Sequence, residues 1–405
     1  MDEYLIKRLG HLGDGITEEG YFAPLTLPDE RVSAEREGKD LKSIKILNPS
    51  DDRVKPPCPH FKSCGGCVLQ HASDAFVAEW KVSVVREALA THNLETDLRP
   101  CLTSPTYSRR RATFTARRTK KGALVGFHAK ASDTVIDNQN CTLVRPELLE
   151  AKAAIHALTL LGASRKSVLK VQVTCSRAGL DLAVSGGKAL DRALETALAE
   201  QVQMFSLARL TWEDDVIAVR SSPVQSFGRA KVLPPPYAFL QATKEGEQDL
   251  LKTVISIIGG AGSVLDLFSG CGTFALPLSE TAEVHAVEGD RDMMRALDKA
   301  WRETSGLKKL THETRDLYRR PLLPDELARF EATVIDPPRA GAKAQVSELA
   351  KGDLKTIAYV SCNPISFAAD AAILCAAGYH LQFVQTVDQF RWSNHIELVG
   401  AFELM

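Results

Sequence analysis

Residues 264–288 constrain the fold more than any other stretch of the chain. Val264-Leu265-Asp266-Leu267-Phe268 is an apolar run of strand length, bounded by turn residues. Ser269-Gly270-Cys271-Gly272-Thr273 follows as a tight glycine turn, and Phe274-Ala275-Leu276 opens a helix. Glu283-Val284-His285-Ala286-Val287 is the next strand, closed by Glu288. Strand, turn, helix and strand in that order make a parallel unit with both sheet faces covered. Glu288 falls 22 positions after Asp266, where α/β nucleotide sites hydrogen-bond ribose hydroxyls. The third glycine of the dinucleotide fingerprint is missing, since Phe274 follows Thr273. That favours a nucleoside cofactor without a pyrophosphate.

The strands that follow bring chemistry to their ends. Ala332-Thr333-Val334-Ile335 runs into Asp336-Pro337-Pro338-Arg339-Ala340-Gly341, and Ile357 to Val360 runs into Ser361-Cys362-Asn363-Pro364. Pro364 cannot continue a strand, and open α/β sheets bind ligands outside the carboxyl ends of their strands. A thiol at that point is placed to be a nucleophile; the competing assignment is a core cysteine. Two long strands, Tyr379 to Asp388 and His395 to Glu403, bring the expected count to seven.

A chain of 405 residues exceeds one ordinary core, so two to four domains are expected. The formal net charge of −1 means that any contact with nucleic acid must come from a local basic patch. The start, Met1-Asp2-Glu3-Tyr4-Leu5-Ile6-Lys7-Arg8, lacks an apolar leader segment, and no apolar run approaches a membrane span, so a cytoplasmic protein is expected. Nine cysteines in a reducing compartment speak for metal binding or catalysis over a disulfide framework.

Two proline joints, Lys55-Pro56-Pro57 and Leu233-Pro234-Pro235-Pro236-Tyr237, divide the chain into residues 1–50, 51–233 and 234–405. The first reads as a small β-module with glycine and proline turns. The second begins with Cys58, Cys64 and Cys67 inside ten residues, among turn-forming proline and glycine. A metal on this triplet needs a fourth ligand. Cys141 follows the polar turn Asp137-Asn138-Gln139-Asn140, whereas Cys101 and Cys175 fall in extended apolar segments and read as packing. Zinc sites usually show two close pairs, so a triplet plus one distant residue favours an iron–sulfur cluster, with zinc still open. Phe76-Val77, Trp80, Val84-Val85 and Leu89 have helical spacing, and the rest of the region reads as an α+β domain with helices near 147–161 and 188–202. Its one strongly basic stretch runs from Tyr107 to Lys121. Strand alternation sets Arg109, Arg111 and Arg117 on one face, where they can neutralise phosphates or form a solvated hairpin.

Taken together, these motifs resemble the RNA uracil-5-methyltransferases of the iron–sulfur 23S rRNA branch. The likeness covers essentially the whole chain. It rests on the Cys58/Cys64-Gly-Gly-Cys67 loop with a distant cysteine, Asp266-Leu267-Phe268-x-Gly-x-Gly, Asp336-Pro337-Pro338-Arg339-x-Gly341, Ser361-Cys362-Asn363-Pro364 and His395-x-Glu397. The resemblance implies a multidomain α/β chain: a TRAM-like, OB-like β-barrel, a central α+β domain carrying a [4Fe-4S] cluster on Cys58, Cys64, Cys67 and Cys141, and a C-terminal seven-stranded Rossmann-like methyltransferase domain. It further implies Cys362 as nucleophile and Glu397 as base, with Gln241, Phe268, Thr273, Glu288, Asp316 and Asp336 around S-adenosylmethionine. The implied partner is RNA, 23S rRNA above all, acted on by a cytoplasmic monomer with no membrane contact. The chain departs from the family pattern at Thr243, Thr273 and Phe390-Arg391-Trp392-Ser393-Asn394. Alternatives are a cytosine-C5 or amine methyltransferase of RNA, or an RNA-binding iron–sulfur protein with a decayed site. Amine methyltransferases carry an aromatic residue after Asp-Pro-Pro, and here that residue is Arg339.

Overall fold

The computed structural model describes residues 2–405. Strands β1 (Asp2–Leu9), β2 (Gly15–Thr17), β3 (Phe22–Ala23), β4 (Arg31–Glu37) and β5 (Asp40–Asn48) close into a barrel in the order β1-β2-β3-β5-β4. Ile6, Ala23, Val32, Ala34 and Leu41 fill it.

Helix α1 (Asp74–Ala90) and strand β6 (Asp97–Thr103) come next. The central sheet then takes β7 (Arg111–Arg118), β8 (Ala123–His128), β9 (Val135–Ile136), β10 (Val168–Ser176), β11 (Gly179–Ser185), β12 (Arg209–Trp212) and β13 (Asp215–Val219), in the order β13-β12-β11-β10-β7-β8-β9. Helices α2 (Pro146–Gly162) and α3 (Arg192–Met204) supply Leu148, Ile155, Leu158, Leu198 and Val202 to its core. A two-stranded ribbon, β14 (Gln225–Phe227) and β15 (Ala230–Val232), leads to α4 (Lys244–Ile258).

The remaining elements are β16 (Ser263–Leu267), α5 (Ala275–Leu278), β17 (Glu283–Glu288), α6 (Arg291–Arg302), β18 (Leu310–Thr314), α7 (Pro324–Leu327), β19 (Ala332–Ile335), α8 (Lys343–Leu349), β20 (Thr356–Ser361), α9 (Pro364–Ala376), β21 (Tyr379–Asp388) and β22 (Glu397–Leu404). Their sheet runs β18-β17-β16-β19-β20-β22-β21-β6. Alternate residues feed opposite cores: Leu265 and Leu267 join one, and Val264 joins the other. Strand order reverses between β16 and β19, so their carboxyl ends splay apart and leave a crevice.

The structure revises several expectations. The sheet has eight strands where seven were expected, because β6 pairs in parallel with β21. Helix α1 packs Val85, Ala88 and Leu89 into the core of that same sheet, so residues 74–103 serve the large sheet as well as the cysteine loop. The basic run is no solvated hairpin. Arg110 is buried and ion-paired with Glu247, while Arg111 and Arg117 share one face of β7, an interior strand of the central sheet between β10 and β8. Arg109 precedes the strand and turns toward the cysteines. His395 also precedes its strand, lying against the Phe390 ring at 5.5 Å. Among the described residues no helix is long and apolar enough to cross a membrane.

Candidate active site

A cavity of about 460 Å³ opens at the carboxyl ends of β16, β17, β19 and β20, bordered by the first residue of β22. The chain makes its floor by a sharp reversal after β16. Phe268 takes φ +61°, and Gly270 and Gly272 take +55° and +95°. A left-handed phenylalanine is strained, and such strain persists where surrounding structure holds it; Phe268 packs against Tyr318 with ring centroids 5.6 Å apart. At Gly272 a Cβ would lie 2.8 Å from Leu276, so only glycine fits. The reversal points the Gly270 amide at Glu288, which accepts it at 3.0 Å and accepts the Asp290 amide at the same distance. Glu288 is thereby fixed at the rim.

The opposite wall is stitched from two loops. Asn363 donates through its side-chain amide to the Arg339 carbonyl at 3.0 Å, and Ser366 donates to the same carbonyl. Asn363 also caps α9, accepting from the Ile365 amide at 3.1 Å, with Pro364 in the first turn. Pro364 therefore does more than stop β20. It starts a helix directly after the thiol, at the position where its missing N–H costs nothing. The antiparallel register that pairs Ser361 with Leu398 carries Cys362 alongside Glu397, and both line the cavity.

Burial and crowded carboxylates set the electrostatics. Desolvation, then the Glu397 and Asp336 charges, push the Cys362 thiol up to about 11, against a pull from Arg339. Desolvation and Asp336 raise Glu397 to about 8, opposed by a hydrogen bond from Gln389 and by Arg111 and Lys81. Asp336 rises to about 7 through burial and Glu288. Asp266, behind them, is fully buried with neither oxygen hydrogen-bonded, and burial keeps its carboxyl far above the usual range. A base poised near the working pH and a thiol that needs help to ionise suit acid–base and nucleophilic work.

Gln241, Phe268, Thr273, Glu288, Asp336, Cys362 and Glu397 all line this one cavity. Asp316 does not; its exposed carboxylate accepts the Tyr318 and Arg319 amides in the turn after β18. Phe239, Arg339 and Gln389 were not singled out as site residues from sequence. Phe239 is 54% exposed at the rim, with the Arg111 guanidinium 4.5 Å from its ring centroid. The amide of Gln389 bonds Gln241 at 2.5 Å and the Ala242 N–H at 2.7 Å. Phe239 had a sequence signal in its spacing of two from Gln241, and Arg339 in its place within Asp336-Pro337-Pro338-Arg339; Gln389 had none.

Cys58, Cys64, Cys67 and Cys141 line a second cavity of about 420 Å³, from which Cys101 and Cys175 are absent. Gln70 donates to the Cys67 sulfur at 3.1 Å, and Asn138 donates to the Cys64 sulfur at 3.9 Å. Arg109, Lys130 and His128 line it, and no carboxylate does. All nine cysteines are free thiols. Among the described residues, no group of three or more His, Cys, Asp or Glu side chains stands arranged to hold a metal ion.

Comparison with known proteins places this geometry. Residues 304–402 match the family model described as tRNA (Uracil-5-)-methyltransferase. An RNA methyltransferase of Rhizobium meliloti is 42% identical over 98% of both chains, and one of Caulobacter vibrioides is 40% identical over 99% of this chain and 100% of its own. A 23S rRNA (uracil(1939)-C(5))-methyltransferase of Shewanella baltica is 30% identical, covering 98% of this chain and 95% of its own. The crystal structure of Pyrococcus abyssi tRNA (uracil-54, C5)-methyltransferase with S-adenosyl-L-homocysteine shares the fold, with a TM-score of 0.77 at 20% identity over 99% of each chain. With relatives this similar along nearly its full length, the chain belongs to the RNA (uracil-5-)methyltransferase family.

Proposed function

We propose that the protein methylates C5 of a uridine in RNA, 23S rRNA by preference, with S-adenosylmethionine bound at Gln241, Phe268, Thr273, Glu288 and Asp336. The observation that carries this reading is the convergence of Cys362 and Glu397 in the same cavity as those residues. S-adenosylmethionine supplies an electrophilic methyl group on a sulfonium. C5 of uracil is a poor nucleophile until a thiolate adds at C6. Cys362 forms that S–C6 bond, and the C5=C6 electron pair moves toward O4 as an enolate. The enolate returns its pair through C5 to the methyl carbon, whose bond to the sulfonium sulfur breaks, the pair staying on sulfur so that S-adenosylhomocysteine leaves. Glu397 then takes the C5 proton, the C5=C6 bond re-forms, and the Cys362 thiolate leaves. Arg339 is the cation whose charge opposes the rise of the Cys362 thiol, so it favours both the attacking and the departing thiolate. The target base must leave its stack, at a cost of a few kcal/mol, and Phe239 with Arg111 offers an exposed stacking surface beside the cavity.

We further propose that Cys58, Cys64, Cys67 and Cys141 would hold a [4Fe-4S] cluster, in which each iron takes one thiolate, so that no three of them need gather on a single ion. They share one cavity with N–H donors aimed at sulfur, and Arg109 and Lys130 supply positive charge against a thiolate-ligated centre. No step of the reaction needs the cluster.

The decisive experiment is Glu397→Gln. It is expected to add and methylate but to stall before elimination, leaving a methylated enzyme–RNA adduct that survives denaturing electrophoresis. Normal turnover with no adduct would remove Glu397 from the reaction. Nucleoside mapping of RNA from cells lacking the protein is expected to show 5-methyluridine missing from 23S rRNA; a loss from tRNA would reassign the substrate.

A further inference from the structure

Lys81 has no place in the chemistry above, yet it is among the largest fully buried side chains of the protein. Its ammonium, on α1, makes three contacts: the Asp388 carboxylate at 2.6 Å, the His395 carbonyl at 2.8 Å and the Phe390 carbonyl at 3.3 Å. Asp388 ends β21, and the two carbonyls lie in its connection to β22. An ordinary buried ion pair needs one partner, and here the same cation also reaches the His395 carbonyl and the Phe390 carbonyl, which accepts the Ser393 amide as well. The held connection carries Gln389. Its amide bonds both Gln241 and the Ala242 N–H, and it is one of the groups that hold the Glu397 carboxyl down. Gly246 makes room for it, since a Cβ there would lie 2.7 Å from the Gln389 Cβ.

We propose that Lys81 is a positioning residue for the methyl-transfer site: it clamps residues 388–395 so that Gln389 and Glu397 face the cavity in register with Gln241. The proposal rests on the reading of Glu397 as the base. The groups facing Glu397 are Asp336 from β19, Cys362 beyond β20, Gln389 from the connection, Arg111 from β7 and Lys81 from α1. Asp388 and Cys101 face Lys81. Removing the cation therefore both loosens the connection and takes away one of the two positive charges acting on Glu397.

The test is Lys81→Met/Asp388→Asn, which removes both buried charges and keeps an acceptor for the Phe390 amide that Asp388 now caps. Removing both partners avoids the stranded charge that a single change would leave. The expected result is a folded enzyme with unchanged RNA affinity and a kcat about 10²-fold lower, the scale of an ångström misplacement. Adduct should accumulate in a single turnover, and because the two charges leave together the pH giving half-maximal kcat should stay near its wild-type value. A folded double variant with wild-type kcat and no adduct overturns the proposal. If that variant does not fold, Lys81→Gln, which retains donors for the two carbonyls, carries the test with a smaller kcat loss and, the cation alone being lost, an upward shift of that pH. Failure of both to fold assigns the lysine to stability and likewise overturns it. Glu397→Gln run in parallel separates the two readings. A trapped adduct there, beside normal Lys81 variants, sinks this proposal alone, whereas its normal turnover sinks the base assignment.

Discussion

The two cysteine cavities are nearly the same size, about 420 and 460 Å³, and in both burial raises thiols above their ordinary range. Their neighbours differ. The first gathers four sulfurs with Arg109, Lys130 and His128 and no acid. The second holds one accessible sulfur with Glu288, Asp336 and Glu397, and Arg339 as its only cation. Thiolates among cations, with no carboxylate beside them, are suited to stay as ligands, whereas a thiol beside carboxylates can give up, use and recover its electron pair. The residue type is shared, and the charge around it decides the chemistry.

The largest expected effect breaks that contrast outright. Cys362→Ala should abolish both product and covalent adduct while leaving iron content untouched, whereas Cys141→Ala should take anaerobically purified protein from about four irons per chain to well below that. Cys175→Ala should retain the iron. Zinc in place of iron and sulfide would leave the ligand set intact and retire the cluster.

A smaller effect sharpens the acidic side. Glu397 is held near 8 in the fold, above its ordinary carboxylate value. The native state therefore keeps a proton that the unfolded chain has released, and stability falls as pH rises from the carboxylate range toward 8. Activity should do the opposite, rising toward 8 as the base ionises. Glu397→Gln should flatten both dependences, as read by thermal melts and single-turnover rates. A melt profile that keeps its full slope would place the titration on Asp336 or Asp266.

The smallest effect sits in the basic cavity. Gln70→Leu removes the N–H that reaches the Cys67 sulfur at 3.1 Å, and hydrogen bonds to sulfur tune cluster potentials. The reduction potential should fall, iron content should hold, and methylation should be unchanged. An unmoved potential would mean that Gln70 only packs there.

Much of the acidic cavity was legible, because strand ends concentrate function where the apolar pattern stops. Asp336, Cys362 and Glu288 could be read as terminators of buried runs. Asp316 came from the family resemblance alone, with no strand read before it, and its carboxylate caps its own turn outside the cavity lining. The eighth strand was not legible. Asp97–Thr103 is half-exposed and holds Pro100, so it lacks the apolar signature of a buried strand, and only its partner β21 shows that it is an edge. The surroundings of the arginine run were hidden for a related reason: alternation gives the face of a strand, but not whether that face meets solvent, and here Arg111 meets the Phe239 ring.

Strand β22 lies between β20 and β21, and its first residue is Glu397. Both neighbours precede it in the chain, so during synthesis they wait with a slot between them. The edge strand must wait as well: the Pro100 carbonyl accepts from Gln385, 285 positions later. Contacts this distant in sequence form late, and a ribosome-bound chain that has not yet supplied residues 397–404 has Cys362 but neither Glu397 nor a continuous sheet. On the proposed role of Glu397, a nascent chain cannot complete the reaction until β22 fills its slot.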